Sequence, residues 1–335
     1  MAFASRTWDG WDYVPHAWPV WLDADDGVLL VACAETPADD LTPLDRAGRP
    51  LEVGRALAVA RVALLSPSEA WLEGIRVDPR VRGMDVATDL QVAELQWAAA
   101  QAVSVVRYAT GDRNEASHRL GARHGFELLT SMRTFRWNAG EEKEDEDEQS
   151  GFSEEARAAA SARRGQVLEG LAAEGVVASA ADGNGWWLRL SEDPSFDAGA
   201  RLYEHRAWAL QELTEQAFRA HLERGEVLAA EQGDGKWALA ILEREALPAE
   251  DVSLHLSLLA GNDGQAALQL VSNVQRLCEG PLRFRVPDDP TALGAFDEEA
   301  FATAGFVGRE WQLDILGRTF EAPAERAKAP LPGIG

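Results

Sequence analysis

Residues 141–151, EEKEDEDEQSG, set seven acids against one lysine and offer almost nothing that gains by burial. A run so charged stays solvated. The chain must therefore build its cores on either side, and the segment 139–152 reads as an acidic linker between one domain at 1–138 and another at 153–320. Residues 321–335, EAPAERAKAPLPGIG, read as a mobile tail. Within 335 residues each part is long enough to bury a core. Apolar residues at 46% and 12 tryptophans exclude a disordered chain.

Charge narrows the possible partners. The formal net charge is −24, with 19 acids and 14 bases before the linker and 30 acids and 17 bases after it. Affinity for nucleic acid comes from clustered Lys and Arg, which this balance denies. Small cationic or polar molecules fit better. Met1 leads into no basic segment with an apolar run behind it, and no membrane-length apolar stretch follows, so a cytoplasmic protein without membrane contact is expected. Cys33 and Cys278 stand far apart, without the spacing of a disulfide framework or a metal site, and read as small core residues.

Periodicity supplies the elements. DYVPHAWPVWLDADDG predicts a helical approach, and VLLVACAE, RALAVARVALL and AWLEGIRVDP predict three strands in succession. Residues 86–102 lack Gly and Pro and predict a helix. VSVVRYAT predicts a strand, RNEASHRLGARHG a helix closed by glycine, and FELLTSMRTFRW a terminal strand. After the linker the order returns: a strand WWLRLS, helices across 198–224, strands EVLAAEQ, KWALAILERE and DVSLHLSLL, the loop AGNDGQA, a helix ALQLVSNVQRLC, a strand LRFRV, a helix near 291–304 and GFVGREWQLDIL. The shared order indicates an internal duplication whose first copy is short at its start. The fold class is α/β (α+β): two domains, each a mixed, mostly antiparallel sheet flanked by helices.

A strand that runs into a glycine-bearing loop and opens a helix aims backbone N–H groups and the positive helix end at one point, which suits a pyrophosphate. IRVDPRVRGMDVA has this form, and TGDRNEASHRLGARHGF follows one helix and one strand later. Together they resemble the GNAT superfamily of acetyl-CoA-dependent N-acetyltransferases. The strand ending V-x-P and the Arg-x-x-Gly-x-Gly/Ala loop match at Val77, Pro79, Arg82, Gly83 and Ala87. The later block matches at Thr110, Asn114, Gly125 and Phe126. The resemblance implies that the pantetheine arm of acetyl-CoA enters between the strands WLEGIRV and VSVVRYAT. It implies cofactor contacts at Val77, Arg82, Gly83, Met84, Asp85, Val86, Ala87 and Asn114, with Glu73 removing the proton from a small amine acceptor. No metal is implied.

Departures from the pattern shape the expectations. Asp85 stands where the loop has glycine; as an N-cap, its side chain is expected to bend back onto the Ala87 and Thr88 amides and weaken the phosphate site. Gly121 replaces the tyrosine that many relatives use to protonate the leaving thiolate. In the second copy Gly261 replaces the loop arginine, Phe301 the tyrosine, and His255 occupies the place of Glu73. Glu73 has an alternative role as an ion-pair partner, Asn114 as a helix cap, His118 and His124 as surface residues, and Trp8, Trp11, Tyr13, Trp18 and Trp21 as packing instead of an acceptor pocket. The expected function is direct transfer of acetyl from acetyl-CoA to an amine in the first domain, beside a degenerate second copy. The alternative is a non-catalytic module that has lost coenzyme A. A further alternative puts the live site in the second copy, at Gly264 and Ala266.

Overall fold

The computed structural model describes residues 3, 12–36, 42–137, 153–206, 208–245, 254–278, 280–294 and 296–320. The expected linker and tail, with Trp8 and Trp11, lie outside the described residues. The first half runs α1 (Val14–Asp23), β1 (Gly27–Cys33), β2 (Ala56–Ser66), β3 (Glu69–Val77), α2 (Val86–Ala100), β4 (Val105–Gly111), α3 (Glu115–Arg123) and β5 (Glu127–Trp137). The second runs α4 (Glu154–Ala173), α5 (Gly183–Ser191), α6 (Pro194–Ala198), β6 (Leu202–Arg206), β7 (Ala209–Glu212), α7 (Glu215–Glu223), β8 (Val227–Gln232) and β9 (Lys236–Ile241). It closes with β10 (Leu254–His255), β11 (Leu258–Gly261), α8 (Gly264–Leu277), β12 (Leu282–Pro287), α9 (Glu298–Thr303), β13 (Val307–Gly308) and β14 (Leu313–Thr319).

Of the expected strands of the first half, β2 buries almost completely and β3 and β4 largely, whereas the outermost β1 and the start of β5 stay partly exposed. β2 is buried from Leu57 to Ala63, and small alanines on it let α2 lie close, with Leu90 against Ala58 and Ala60. One side chain differs from expectation. Cys33, at the end of the outermost strand β1, is exposed, whereas Cys278 is buried. Tyr13, Trp18 and Trp21 pack edge-on around Val14 and Ala17, which seats α1 on β2 at Val59.

In the second half WWLRLS is helical, because Trp186 and Leu190 lie four apart and bury together against Phe218 and Leu239. That pairing outweighs the β-preference of neighbouring tryptophans. The span 198–224 contains the hairpin β6–β7 as well as α7. The run DVSLHLSLL is broken: β10 pairs in parallel with β12, and β11 crosses to β9.

The two halves share the largest sheet, while β8, β9 and β11 form a three-stranded sheet of the second half alone. The largest sheet has the order β1-β2-β3-β4-β14-β5-β12-β10, with β13 also on β5. The final strand of the second half, β14, lies antiparallel between β4 and β5 of the first, from Leu313↔Gly111 to Thr319↔Val105 on one side. In return, β5 passes from β14 at its start to β12 at its end, Met132↔Pro287 to Trp137↔Leu282. Leu313, Ile315 and Leu316 of β14 are buried, each contributing about 1.5–3 kcal/mol.

Candidate active site

The site begins where two parallel strands part. β3 and β4 pair only at Glu69↔Val105, Ala70↔Val106 and Trp71↔Arg107, after which β3 stays with β2 as far as Val77 and β4 with β14 as far as Gly111. Gly74 lies within the parting. With φ +71° it makes a bulge in which Gly74 and Ile75 face Ala60 alone, and a Cβ there would lie 2.7 Å from Trp21 Cη2. From Leu72 to Val77 the β4 side of β3 has no strand partner among the described residues.

Below the opening, the Asp78 side chain accepts from the Arg80 amide at 3.0 Å and starts a short turn over buried Val81. The Arg80 guanidinium beside it holds the Asp78 carboxyl below its usual range. The exposed residues Arg82, Gly83, Met84 and Asp85 follow, then Val86 and Ala87 at the start of α2. Arg82 donates from Nε to the Val77 carbonyl at 3.3 Å, tying the loop to the end of β3.

Asp85 corrects the capping expectation. Its backbone is left-handed, φ 60° and ψ 8°, its side chain makes no cap hydrogen bond, and its carboxylate is 75% exposed, 3.7 Å from Arg123 Nη1. Asp is one of the few side chains that enters this region at modest cost, so it supplies the turn that glycine would have supplied. The amides of Val86, Ala87 and Thr88 in the first turn of α2 are left without a side-chain cap.

Glu73 lies at the parting, inside a network that joins the halves. Its Oε1 accepts from Arg61 Nη1 and, at 3.0 Å, from Arg206 Nη2 of the hairpin β6–β7. Asp26 binds Arg61 and lies 3.6 Å from Arg206. Arg61 is 2% exposed and sits under Trp21, 5.5 Å from the ring centroid. Nothing in the sequence around Glu73 signals Arg206, which arrives from 133 residues away.

Asn114 takes the cap geometry: its Oδ1 accepts from the Ser117 amide at 3.3 Å and its Nδ2 donates to Thr110 Oγ1 at 3.0 Å. Gly121 has a cause that sequence reasoning missed. The Tyr108 hydroxyl, donating to the Ser117 carbonyl at 3.1 Å, occupies its flank, and a Cβ at Gly121 would lie 2.0 Å from that oxygen. Burial pushes the Tyr108 phenol up to about 12, so it keeps its proton. His118 is half-buried and turns toward β14, Nε2 3.3 Å from Asp314 Oδ2. Desolvation lowers His124 from its ordinary value.

The second half parts at the same place, after His255↔Arg283, but its opening is filled. The side chain of Asp263 caps α8, accepting from the Ala266 amide at 2.9 Å. The turn 292–294 presses on the loop, where a Cβ at Gly294 would lie 2.1 Å from the Asn262 carbonyl oxygen. From α6, Ser195 Oγ sits 3.4 Å from both the Gly261 amide and its carbonyl. What remains is a cavity of about 30 Å³ lined by Ser257, Leu258 and Arg285, room for about one water. His255 is buried against Arg164 at 3.0 Å, and Phe301 is core. No group of three His, Cys, Asp or Glu among the described residues is placed to hold a metal, and none of their helices is long and apolar enough to cross a membrane.

Residues 7–126 match the family model of the acetyltransferase (GNAT) family. Curated proteins give no match to the chain. Among solved structures, a GCN5-related N-acetyltransferase from Sphaerobacter thermophilus is 14% identical, with TM-score 0.50, over 95% of this chain and 90% of that one. A Thermoplasma acidophilum protein proposed to be an acetyltransferase is 15% identical, with TM-score 0.45, over 92% and 84%. PaiA N-acetyltransferase from Thermoplasma acidophilum, in complex with coenzyme A, is 11% identical, with TM-score 0.26, over 35% and 60%. The first likeness spans nearly the whole chain and establishes architecture alone.

Proposed function

We propose that this chain, whose residues 7–126 carry a domain of the acetyltransferase (GNAT) family, transfers acetyl from acetyl-CoA directly to the amine of a small, cationic or polar acceptor. The observation that carries the reading is the asymmetry of the two partings. The opening between β3 and β4 stands over an exposed, uncapped loop, whereas the one between β11 and β12 is capped by Asp263 and plugged by α6. The second half is then a degenerate copy that walls the acceptor side through β6–β7.

Acetyl-CoA supplies an acyl group already activated as a thioester. Arg82, Gly83 and the α2 amides from Val86 suit its phosphates, and Asp85, turned to Arg123, does not block them. The unpaired edge of β3 up to Val77 offers main-chain N–H groups to the carbonyl oxygen, where preorganised donors act most strongly. Glu73 takes the proton from the amine nitrogen as the N–C bond forms; the C–S bond of the thioester breaks, and coenzyme A leaves as a thiolate that takes its proton from water. Glu73 reaches the amine nitrogen when Arg206, which is 15% exposed on its side chain against 2% for Arg61, yields to the acceptor.

Calorimetric titration with acetyl-CoA, followed by acetylation of an amine panel, tests the proposal. Glu73→Gln should leave acetyl-CoA affinity nearly unchanged, lower turnover by roughly 10²-fold or more and move the pH optimum upward. An unaltered pH profile would return Glu73 to a purely structural role. The second reading, a binding module without catalysis, draws on the double guanidinium grip on Glu73 and on the commitment of the Tyr108 hydroxyl to Ser117. It prevails if millimolar acetyl-CoA does not bind.

A further inference from the structure

We propose that Arg46, on the loop between β1 and β2, reaches over the Gly83 turn and binds the pyrophosphate of the cofactor together with Arg82. The inference rests on the reading of residues 82–87 as the coenzyme A phosphate loop, and adds to it a residue that no loop motif contains.

Arg46 is held where it stands. Asp45 is buried, and its carboxylate accepts from the amides of Ala47 and Arg49 and from Arg49 Nε, each at 2.9 Å. These bonds close a tight turn that Gly48 completes at φ +75°. The turn is docked on the phosphate loop at two points. The Arg46 amide donates to the Arg80 carbonyl at 3.0 Å, and buried Leu51 shares one apolar cluster with Val81 and Val86, the residues that flank Arg82–Asp85.

The guanidinium then lies against the turn itself. A Cβ at Gly83 would sit 3.4 Å from Arg46 Nη1 and 3.8 Å from its Cζ. Gly83 thus answers two demands: a left-handed backbone at φ +79°, and an open face toward Arg46.

Charge completes the case. Around the loop, Arg49 pairs with Asp45, Arg80 with Asp78 and Arg123 loosely with Asp85. Arg46 and Arg82 form no ion pair among the described residues, in a chain with 56 acids to 32 bases. Arg82 belongs to the exposed turn and Arg46 lies against it, so a doubly charged pyrophosphate at the turn would neutralise both charges and accept both planar donor sets.

The test titrates the full chain and its Arg46→Ala and Arg46→Lys variants with coenzyme A, 3′-dephospho-coenzyme A and pantetheine. Arg46 is exposed, so both variants should melt like the parent. Arg46→Ala should weaken coenzyme A and the dephospho form equally, by about tenfold, and leave pantetheine unchanged. Its coenzyme A binding should also depend less steeply on salt. Arg46→Lys keeps the charge without the fork and should fall between. If the parent itself binds no coenzyme A, the phosphate-loop reading fails. If the parent binds and Arg46→Ala binds as tightly, the role of Arg46 alone fails. A loss seen with coenzyme A and absent with the dephospho form would overturn the pyrophosphate assignment.

Discussion

At the scale of single residues, Asp85 shows how one position can satisfy a backbone requirement with unexpected chemistry. Its place in the loop demands a left-handed residue, and Asp meets that demand while its carboxylate leans to Arg123. Asp85→Ala should therefore cost about 1 kcal/mol of stability, read from chemical denaturation, because the left-handed backbone that Asp tolerates is more strained for alanine. Asp85→Gly should tighten coenzyme A binding by only a few-fold, since an exposed carboxylate near a guanidinium is largely screened; a tenfold gain would mean that it faces the phosphates. Glu94, on α2, is 1% exposed with an unpartnered Oε1, and burial raises its carboxyl well above the ordinary 4.5. The fold holds that proton where the unfolded chain has released it. The contribution of Glu94 to stability is thus greatest below about pH 4.5 and declines as pH rises from there toward the folded value. Glu94→Gln removes the decline: its melting temperature should match the parent at pH 4 and exceed it at pH 8, and a gap that stays constant with pH would contradict the assignment.

At the scale of elements, α3 and β4 are fitted to each other through an absence. Gly121 leaves the space that the Tyr108 hydroxyl fills, so the loss of a side chain on the helix and the gain of a hydroxyl on the strand are one feature. Gly121→Ala should destabilise by about 2 kcal/mol or more through overpacking, and Tyr108→Phe, by removing the colliding oxygen, should rescue part of that loss. Additive effects in such a double-mutant cycle would show that the helix shifts instead. The same dependence on neighbours explains α5. WWLRLS is rich in strand-formers, but Trp186 and Leu190 find a core only at helical spacing. The run DVSLHLSLL fails to remain one strand because Leu254–His255 joins β12 while the strand from Leu258 joins β9.

At the scale of the whole molecule, the exchange of final strands makes the halves mutually dependent. Without β14, the first half would expose the inner edges of β4 and β5 together with the apolar face that Leu313, Ile315 and Leu316 cover. Residues 1–138 produced alone should show no cooperative thermal transition by circular dichroism, and so should a chain stopped at residue 312; a sharp melt from either would refute the dependence. Much of this protein was legible in the sequence. Apolar runs bounded by Gly, Pro or Asp marked β1 to β5, β8, β9 and β12. A stretch without Gly or Pro marked α2, and a glycine-bearing turn between a strand and a helix marked 82–87 as the loop proposed to hold phosphates. These are local properties, decided by side-chain period and backbone freedom within a few residues. Other features depended on distant partners. Periodicity says that LDILGRT is a strand but not that its slot lies between β4 and β5, two hundred residues earlier. Glu73 is legible as an acid on a strand beside the proposed site, whereas its grip by Arg206 is not. Asp85 reads as a cap until its left-handed backbone and the nearby Arg123 are seen. The second loop reads as a possible cradle until α6 and the turn at 292–294 fill it. Hydrogen-bond ladders, buried ion pairs and close packing join residues that chain order keeps apart, and for that reason only the tertiary structure could decide them.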